Sequence, residues 1–218
     1  MKVGTDGVLL GAWADMGKAR RILDVGTGTG LLALIAAQRA PDALVDAVEV
    51  DAPSAGQAEE NFRCSPWAGR LSVKVTDARC LSGPPRYDAL ICNPPFHSEG
   101  VQAPDPRRRT ARSTAAFDPS ELLALTDKVL LPAGALFGIL PVRLAQGFLD
   151  EAATFGLLPQ QLCEVGYRPD GPVERTLFHL VRRPRVQVRT RLTVEDLAPR
   201  TYSAAFRTLT HDLYPPLR

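Results

Sequence analysis

The feature that most constrains the fold is a glycine-rich turn between a strand-like and a helix-like segment. Residues 21–25 are typical of a short buried strand, and residues 31–40, rich in leucine and alanine, are typical of a helix. Residues 26–30 between them read G-T-G-T-G, with glycine at every second position. Glycines at such a junction permit a tight turn and let a ligand approach the backbone closely. The segment therefore predicts an α/β fold with a ligand site at the end of its first strand.

Strand-like and helix-like segments alternate along the chain as far as residue 155. Further strands are predicted at 44–50, 71–75, 87–92 and 135–140, and further helices at 53–63, 119–131 and 144–155. This alternation predicts a Rossmann-like α/β fold, in which a mostly parallel, seven-stranded sheet carries helices on both faces.

The C-terminal part of the chain follows a different pattern. Strands are predicted at 162–167 and 176–181, and the Pro-Asp-Gly-Pro turn between them favours an antiparallel hairpin at one edge of the sheet. Residues 186–194 are a candidate for a further strand, and residues 202–213 for a terminal helix. The loop at 96–117 is longer than most connections, which indicates a functional segment.

Length and composition favour an ordinary globular protein of the reducing cytoplasm. The chain has 218 residues, of which 45% are hydrophobic and 23% are charged. No apolar run approaches the ~20 residues of a membrane span, and the N-terminus does not resemble a signal peptide. Its four cysteines form no C-x-x-C pair and have no histidine at zinc spacing, so no metal site is expected. No obligate protein partner is implied.

Three carboxylates surround the predicted ligand site. Asp24 precedes the glycine turn, Glu49 ends the second strand, and Asp77 follows the third. Glu49 can accept hydrogen bonds from both ribose hydroxyls, and Asp77 would face an adenine edge. An acidic site suits a cationic nucleoside without phosphates, which favours S-adenosylmethionine over NAD. The alternatives are a nucleotide-binding oxidoreductase, whose usual G-x-G-x-x-G spacing is missing, and a turn that binds no ligand.

A second motif, Asn-Pro-Pro-Phe at residues 93–96, directly follows the predicted strand 87–92. It therefore lies at the carboxyl end of a parallel strand, where open α/β sheets bind ligands. Because prolines fix the backbone, the Asn93 side-chain oxygen and the Pro94 carbonyl can converge on one planar amino group. The ring of Phe96 can stack on the base that carries this amine. Such a site would catalyse methylation of the amine by positioning and electrostatics, unless the prolines merely end the strand.

The basic residues are unevenly distributed, although the net charge is only +2. Residues 1–100 carry 10 basic and 12 acidic groups, whereas residues 101–218 carry 16 basic and 12 acidic groups. Two arginine groups stand out and predict phosphate contacts with RNA: Arg107, Arg108, Arg109 and Arg112 in the long loop, and Arg182, Arg183 and Arg185 with Arg189 and Arg191 further on. A genomic preference for arginine, or a charged edge strand, is the alternative explanation.

Taken together, the motifs resemble class I S-adenosylmethionine-dependent methyltransferases, and in particular the bacterial tRNA (adenine-N6) methyltransferases. The opening block at residues 2–13, K-V-G-T-D-G-V-L-L-G-A-W, is the most specific piece of the resemblance. Residues 59–62 (E-E-N-F), 65–68 (S-P-W-A) and 111–112 (A-R) are also similar to this family. The N-P-P-F-H run also resembles ribosomal-RNA guanine-N2 methyltransferases, which leaves that reaction as the alternative.

The resemblance implies that the chain methylates N6 of the adenine 3′ of the anticodon in a valine tRNA. It implies one methyltransferase domain over residues 1–218. Residues 1–20 would cap the cofactor, residues 21–155 would bind it, and residues 156–218 would form the hairpin and C-terminal segment. The expected target-base residues are Asn93, Pro94, Pro95 and Phe96. The expected cofactor residues are Lys2, Thr5, Asp6, Asp24, Gly26, Thr27, Gly28, Gly30, Glu49, Asp77 and Asn93.

Overall fold

The structure, a computed structural model, describes residues 4–94, 118–198 and 201–214. Within these residues eight strands form one sheet: β1 (Arg21–Val25), β2 (Leu44–Glu49), β3 (Leu71–Val75), β4 (Tyr87–Cys92), β5 (Leu130–Pro141), β6 (Leu158–Gly166), β7 (Val173–Val181) and β8 (Val188–Thr193). The described α-helices are α1 (Thr5–Trp13), α2 (Leu31–Arg39), α3 (Ala52–Arg63), α4 (Pro119–Val129), α5 (Val142–Thr154) and α6 (Ala204–Thr210).

The strand order is β3-β2-β1-β4-β5-β7-β6-β8. Every neighbouring pair is parallel except the two that include β7, which runs antiparallel to both β5 and β6. The predicted Rossmann-like fold, with its mostly parallel sheet and one antiparallel hairpin, is therefore confirmed.

Two details of the predicted sheet are wrong. The sheet has eight strands rather than seven, and the hairpin does not lie at its edge, because β7 is enclosed between β5 and β6. The edge is β8, which pairs in parallel with β6. Its Leu192, together with Val194 just beyond it, is buried in the core on one face of the sheet, and this burial holds β8 in place.

Side chains alternate between two hydrophobic cores, one on each face of the sheet. On β1, Ile22 belongs to the core beneath α1, α2, α3 and α6, whereas Leu23 belongs to the core beneath α4 and α5. Because the central strands β1, β2 and β4 are mostly buried on both faces, these strands are largely apolar. No described helix combines the length and the apolar character that crossing a membrane would require.

The opening block folds into α1, a helix that the sequence analysis did not predict. Its residues from Gly7 to Ala12 are all buried, so the helix has no polar face and no helical periodicity. Gly11 lets α1 approach α2 closely, since a Cβ there would lie 2.8 Å from a side-chain carbon of Ile35. This close packing fixes the N-terminal end of α1 at the carboxyl edge of the sheet, near Asn93.

Candidate active site

The glycine turn and the Asn-Pro-Pro-Phe motif meet at the carboxyl edge of the sheet. β1 lies between β2 and β4. The chain passes from β1 to β2 on one side and later forms β4 on the other side, so the connections diverge and leave a crevice at the carboxyl end of β1. Val25 and Cys92 are paired at the ends of β1 and β4, and the Cys92 thiol donates to the Val25 carbonyl at 3.3 Å. The glycine turn and Asn93 therefore leave the sheet side by side.

The glycine turn is held in a conformation that glycine adopts readily. Gly26, Gly28 and Gly30 have φ angles of 71°, 58° and 89°, all in the left-handed region. A Cβ at Gly30 would lie 2.5 Å from the ring of Phe62 on α3, whereas a Cβ at Gly26 would meet no atom of the described residues within 4 Å. Packing therefore requires Gly30, while Gly26 borders open space where a ligand can approach the backbone.

Asp24 supports the glycine turn from below. Its side chain has no exposed surface, and its Oδ2 accepts hydrogen bonds from the Thr27 hydroxyl at 2.5 Å and from the Ala33 amide at 3.0 Å. Its Oδ1 is buried and has no hydrogen-bond partner among the residues that the structure describes. The pKa of Asp24 is raised from 3.8 to about 7, chiefly by burial and also by the nearby Glu49, against the lowering effect of the two hydrogen bonds. Asp24 therefore acts on the turn rather than on the surface of the crevice.

Glu49 joins the turn to the end of β2. Its Oε2 accepts from the Gly28 amide at 2.8 Å, and its Oε1 accepts from the Asp51 amide at 2.9 Å. The residue is only 9% exposed, so a single rotamer is held at the rim of the crevice. Each carboxylate oxygen retains a second lone pair, which suits it to accept from the ribose hydroxyls predicted for this position.

Asp77 lies just beyond β3, at the start of a short 3-10 turn (Ala78–Cys80). Its carboxylate accepts from the amide of Arg79 at 2.9 Å and forms an ion pair with the guanidinium of the same residue. Arg79 also contacts Glu121 at the start of α4 at 3.2 Å. Hydrogen bonding to Arg79 lowers the pKa of Asp77. The Asp77 carboxylate is thus held ionised beside the crevice, although Arg79 already takes some of its hydrogen-bonding positions.

Asn93 and Pro94 directly follow β4, and Pro94 is buried. A Cβ at Gly7 of α1 would lie 4.0 Å from the Asn93 amide nitrogen, so the Asn93 side chain lies on the α1 face of the sheet. The two remaining residues of the motif, Pro95 and Phe96, lie outside the described residues, as does Lys2. The structure thus brings together Asn93, the glycine turn and the N-terminal end of α1.

Asp6, in the first turn of α1, has two partners that the sequence analysis missed. Its Oδ2 accepts from Nε of Arg175 at 2.9 Å, and its Oδ1 accepts from the Tyr167 hydroxyl at 3.0 Å. Burial, together with the negative charge of Asp6, raises the pKa of Tyr167 to about 12. The partners follow Asp6 by 161 and 169 residues, and no local sequence signal links them. Thr5 beside Asp6 is exposed.

The structure does not bring Arg182, Arg183 and Arg185 to this edge. β7 runs antiparallel, so Arg175 near its start pairs with Pro141 at the carboxyl edge, whereas Val181 at its end pairs with Leu158 at the opposite edge. Arg182, Arg183 and Arg185 follow Val181 and therefore lie far from Asn93. Arg182 also donates to the Phe155 carbonyl and pairs with Asp127 at 2.7 Å. Arg107, Arg108, Arg109 and Arg112 lie outside the described residues.

The residues at the crevice fit a cationic nucleoside cofactor. Glu49 presents a fixed carboxylate, Gly26 leaves the backbone accessible, and residues 24–30 contain no lysine or arginine for a phosphate. Carboxylate and carbonyl oxygens are suitable acceptors for ribose hydroxyls and for ammonium groups.

Comparison with known proteins also indicates a methyltransferase. The family model for the methyltransferase small domain matches residues 4–115. A Vibrio vulnificus (strain YJ016) protein named tRNA1(Val) (adenine(37)-N6)-methyltransferase is 42% identical over 214 residues, which cover 98% of this chain and 89% of the relative. A Bacteroides fragilis (strain YCH46) protein of the same name is 39% identical over 219 residues, with 98% and 91% coverage.

Solved structures support the fold. A protein of Agrobacterium tumefaciens, described as a predicted O-methyltransferase, superposes with a TM-score of 0.75 at 17% identity and covers 95% of this chain and 96% of its own. A SAM-dependent O-methyltransferase from Thermotoga maritima gives a TM-score of 0.61 at 19% identity, with 85% and 68% coverage. With a family model over half the chain and relatives at this identity, the chain belongs to the S-adenosylmethionine-dependent methyltransferases of the tRNA1(Val) (adenine(37)-N6) family.

Proposed function

We propose that this enzyme transfers a methyl group from S-adenosylmethionine to N6 of adenine 37 in tRNA1(Val). The observation that carries the proposal is the position of Asn93, which follows β4 beside the glycine turn at the carboxyl edge. The relatives that match nearly the whole chain carry the name of this reaction. A tRNA substrate would also place the enzyme in the cytoplasm.

The cofactor would lie in the crevice above β1 and β2. Glu49 would hold the ribose, Asp77 the adenine, and the backbone of the glycine turn would pass close to the methionine part. Asp24 would keep the turn in its left-handed conformation through Thr27 and Ala33. When bound, S-adenosylmethionine supplies a methyl group on a positively charged sulfur, which the carboxylates of the crevice favour electrostatically.

The target amine would be held at the end of β4. The Asn93 side-chain oxygen and the Pro94 carbonyl would accept its two N–H donors, which orients the nitrogen lone pair away from them. Holding the amine in this orientation lowers the barrier by positioning, and the amine needs no strong base because it becomes acidic only once it carries the new methyl. Phe96 would stack on the adenine ring, as the motif predicts.

RNA would be bound mainly at the carboxyl edge, since the target base must leave its stack to reach Asn93. An anticodon loop makes this exposure inexpensive because its bases are unpaired. Arg107, Arg108, Arg109 and Arg112 would contact phosphates close to the base. Arg182, Arg183 and Arg185 follow β7 at the other edge, so they would touch only a more distant arm of the tRNA.

The test is to incubate the enzyme with labelled S-adenosylmethionine and total bacterial RNA, and to identify the labelled nucleoside. We expect N6-methyladenosine in the tRNA fraction. N2-methylguanosine in ribosomal RNA would select the alternative and overturn the proposal.

The role of Asn93 is tested with Asn93→Ala. Because the Asn93 side-chain oxygen would hold the amine, whereas Glu49 and the glycine turn would hold most of the cofactor, we expect transfer to be lost while the dissociation constant for S-adenosylhomocysteine changes less than about threefold. Serine at the same position, which restores one acceptor, should recover part of the activity. Equal loss of transfer and of cofactor binding in Asn93→Ala would show that Asn93 does not hold the amine.

A further inference from the structure

A second cavity opens at the carboxyl edge, on the face opposite Asn93. It has a volume of about 260 Å³ and lies between the start of α4 and the first three turns of α5. Its walls are Pro119, Leu140, Arg143, Leu144, Gly147, Phe148 and Glu151. We call it the α4–α5 cavity. Pockets for drug-sized ligands have volumes of about 300–1,000 Å³, so a cavity of this size suits a smaller group such as one nucleotide base.

Strand register places this cavity next to the proposed target site. Cys92 on β4 pairs with Gly138 on β5, and continuing this parallel register by two residues sets Pro94 beside Leu140. Neighbouring strands lie about 4.8 Å apart. The Leu140 side chain belongs to the core beneath α4 and α5, whereas the Asn93 side chain lies on the α1 face. The two sites are therefore neighbours on opposite sides of the same edge.

One face of α5 gives the cavity its chemical character. Arg143, Gly147 and Glu151 are spaced four residues apart, so they follow one another along a single helix face over about 12 Å. Arg143 is exposed in the first turn, where the helix dipole adds to its positive charge. Glu151 is half-buried two turns away and can accept from an amino or imino group. Apolar side chains of Leu144 and Phe148 line the space between them.

Gly147 is an exposed glycine on α5 that borders the cavity. Glycine in a helix interior costs about 1 kcal/mol relative to alanine. A Cβ at Gly147 would meet none of the described atoms within 4 Å, so packing within residues 4–94, 118–198 and 201–214 does not require the glycine. Its absent side chain instead widens the cavity, in the way that glycine elsewhere admits a close ligand.

We propose that the α4–α5 cavity binds a nucleotide adjacent to the target adenine, with its base beside Gly147 and its phosphate at Arg143. The proposal rests on the proposed function, because an RNA strand that crosses this edge can place one base at Asn93 and its neighbour in the cavity. The cation at the mouth matches a phosphate, and the apolar walls match the faces of a base. The cavity would thereby contribute to the choice of anticodon loop.

The test compares Gly147→Phe, which fills the cavity, with Gly147→Ala, which adds one methyl and should leave RNA binding unchanged. Stacking of a base contributes about 1–3 kcal/mol, so we expect Gly147→Phe to raise the KM for a tRNA1(Val) transcript about tenfold or more. Its dissociation constant for S-adenosylhomocysteine should match that of wild type. A KM for RNA equal to that of Gly147→Ala would overturn the proposal.

A second variant keeps the test decisive if Gly147→Phe does not fold. Arg143→Gln should weaken RNA binding and reduce the slope of log K against log salt by about one, as loss of one phosphate contact requires. Lys128→Gln, at the far end of α4, is the matched control. An unchanged slope in Arg143→Gln would overturn the proposal.

If the wild-type enzyme methylates a different RNA, the proposed function fails, and the same variants measured on that RNA still test the cavity.

Discussion

Replacing Asp24 by asparagine should remove a large pH dependence of folding stability. Asp24 has no exposed surface, and within the described part of the chain its Oδ1 has no hydrogen-bond partner. The pKa of its carboxyl is raised from 3.8 to about 7, chiefly by burial. A group whose folded-state pKa lies above its unfolded-state pKa stabilises the fold fully only below the unfolded value. Its contribution is lost as the pH rises through the folded value.

The size of the effect follows from the two pKa values. One pKa unit corresponds to about 1.4 kcal/mol, so the whole contribution of Asp24 is about 4 kcal/mol between acid and pH 8. About 1 kcal/mol of this has already been lost at pH 4.5, which leaves about 3 kcal/mol between pH 4.5 and pH 8. Wild type should lose this amount relative to Asp24→Asn across that range, whatever the other groups contribute.

The assay is urea unfolding of the cofactor-free enzyme at several pH values, followed by circular dichroism, for wild type and Asp24→Asn. Asp77→Asn is the control, because the pKa of Asp77 is lowered by Arg79. Its stabilising contribution is therefore present above its ordinary pKa and is lost only in stronger acid, so its difference from wild type should be flat over this range. A flat difference for Asp24→Asn as well would refute the reasoning, since it would mean that the folded and unfolded states share one pKa.

Two further predictions concern the contacts around the crevice. Asp6→Asn and Arg175→Met should each weaken the binding of S-adenosylhomocysteine, measured by calorimetry, because the pair positions α1. A double-mutant cycle should give a coupling free energy of about 0.5–3 kcal/mol. Independent effects of the two substitutions would show that the pair does not position α1. Gly30→Ala should destabilise the fold by about 2–4 kcal/mol in urea unfolding, because it combines a positive φ with a clash against Phe62. Gly26→Ala shares the positive φ but not the clash, so its cost should be about 1–2 kcal/mol, and equal costs would contradict this account.

Local sequence signals predicted the elements that carry the crevice. The bounds of β1, β3 and β4 agree with the predicted segments, since β1 and β4 are short, mostly apolar segments and β3 alternates apolar with polar residues. Helix α3 begins one residue earlier than predicted, and Asp51 caps it by accepting from the Ser54 amide. Helix α4 ends at Val129 rather than at residue 131, because Leu130 already pairs with Tyr87 as the first residue of β5.

Contacts between distant residues could not be predicted in this way. Helix α1 was not predicted because it is buried from Gly7 to Ala12 and so lacks the polar face that gives a helix its sequence periodicity. The order of β5, β7, β6 and β8 depends on packing that no single segment encodes. The hydrogen bond between Asp6 and Arg175 joins residues 169 positions apart. The opening block could therefore be compared with a family, but Arg175 could not be predicted as the partner of Asp6.

The three carboxylates of the crevice do not all have the role that their sequence positions suggest. All three were predicted to face a cationic cofactor, yet Asp24 bonds to Thr27 and Ala33 beneath the turn. Glu49 bonds to the amides of Gly28 and Asp51 while remaining at the rim. Both groups therefore fix the backbone before any ligand arrives, and Glu49 is the one that stays at the rim, where a cation can approach it. A cation that enters meets a charge distribution that needs little rearrangement, which is the condition under which electrostatic stabilisation is largest.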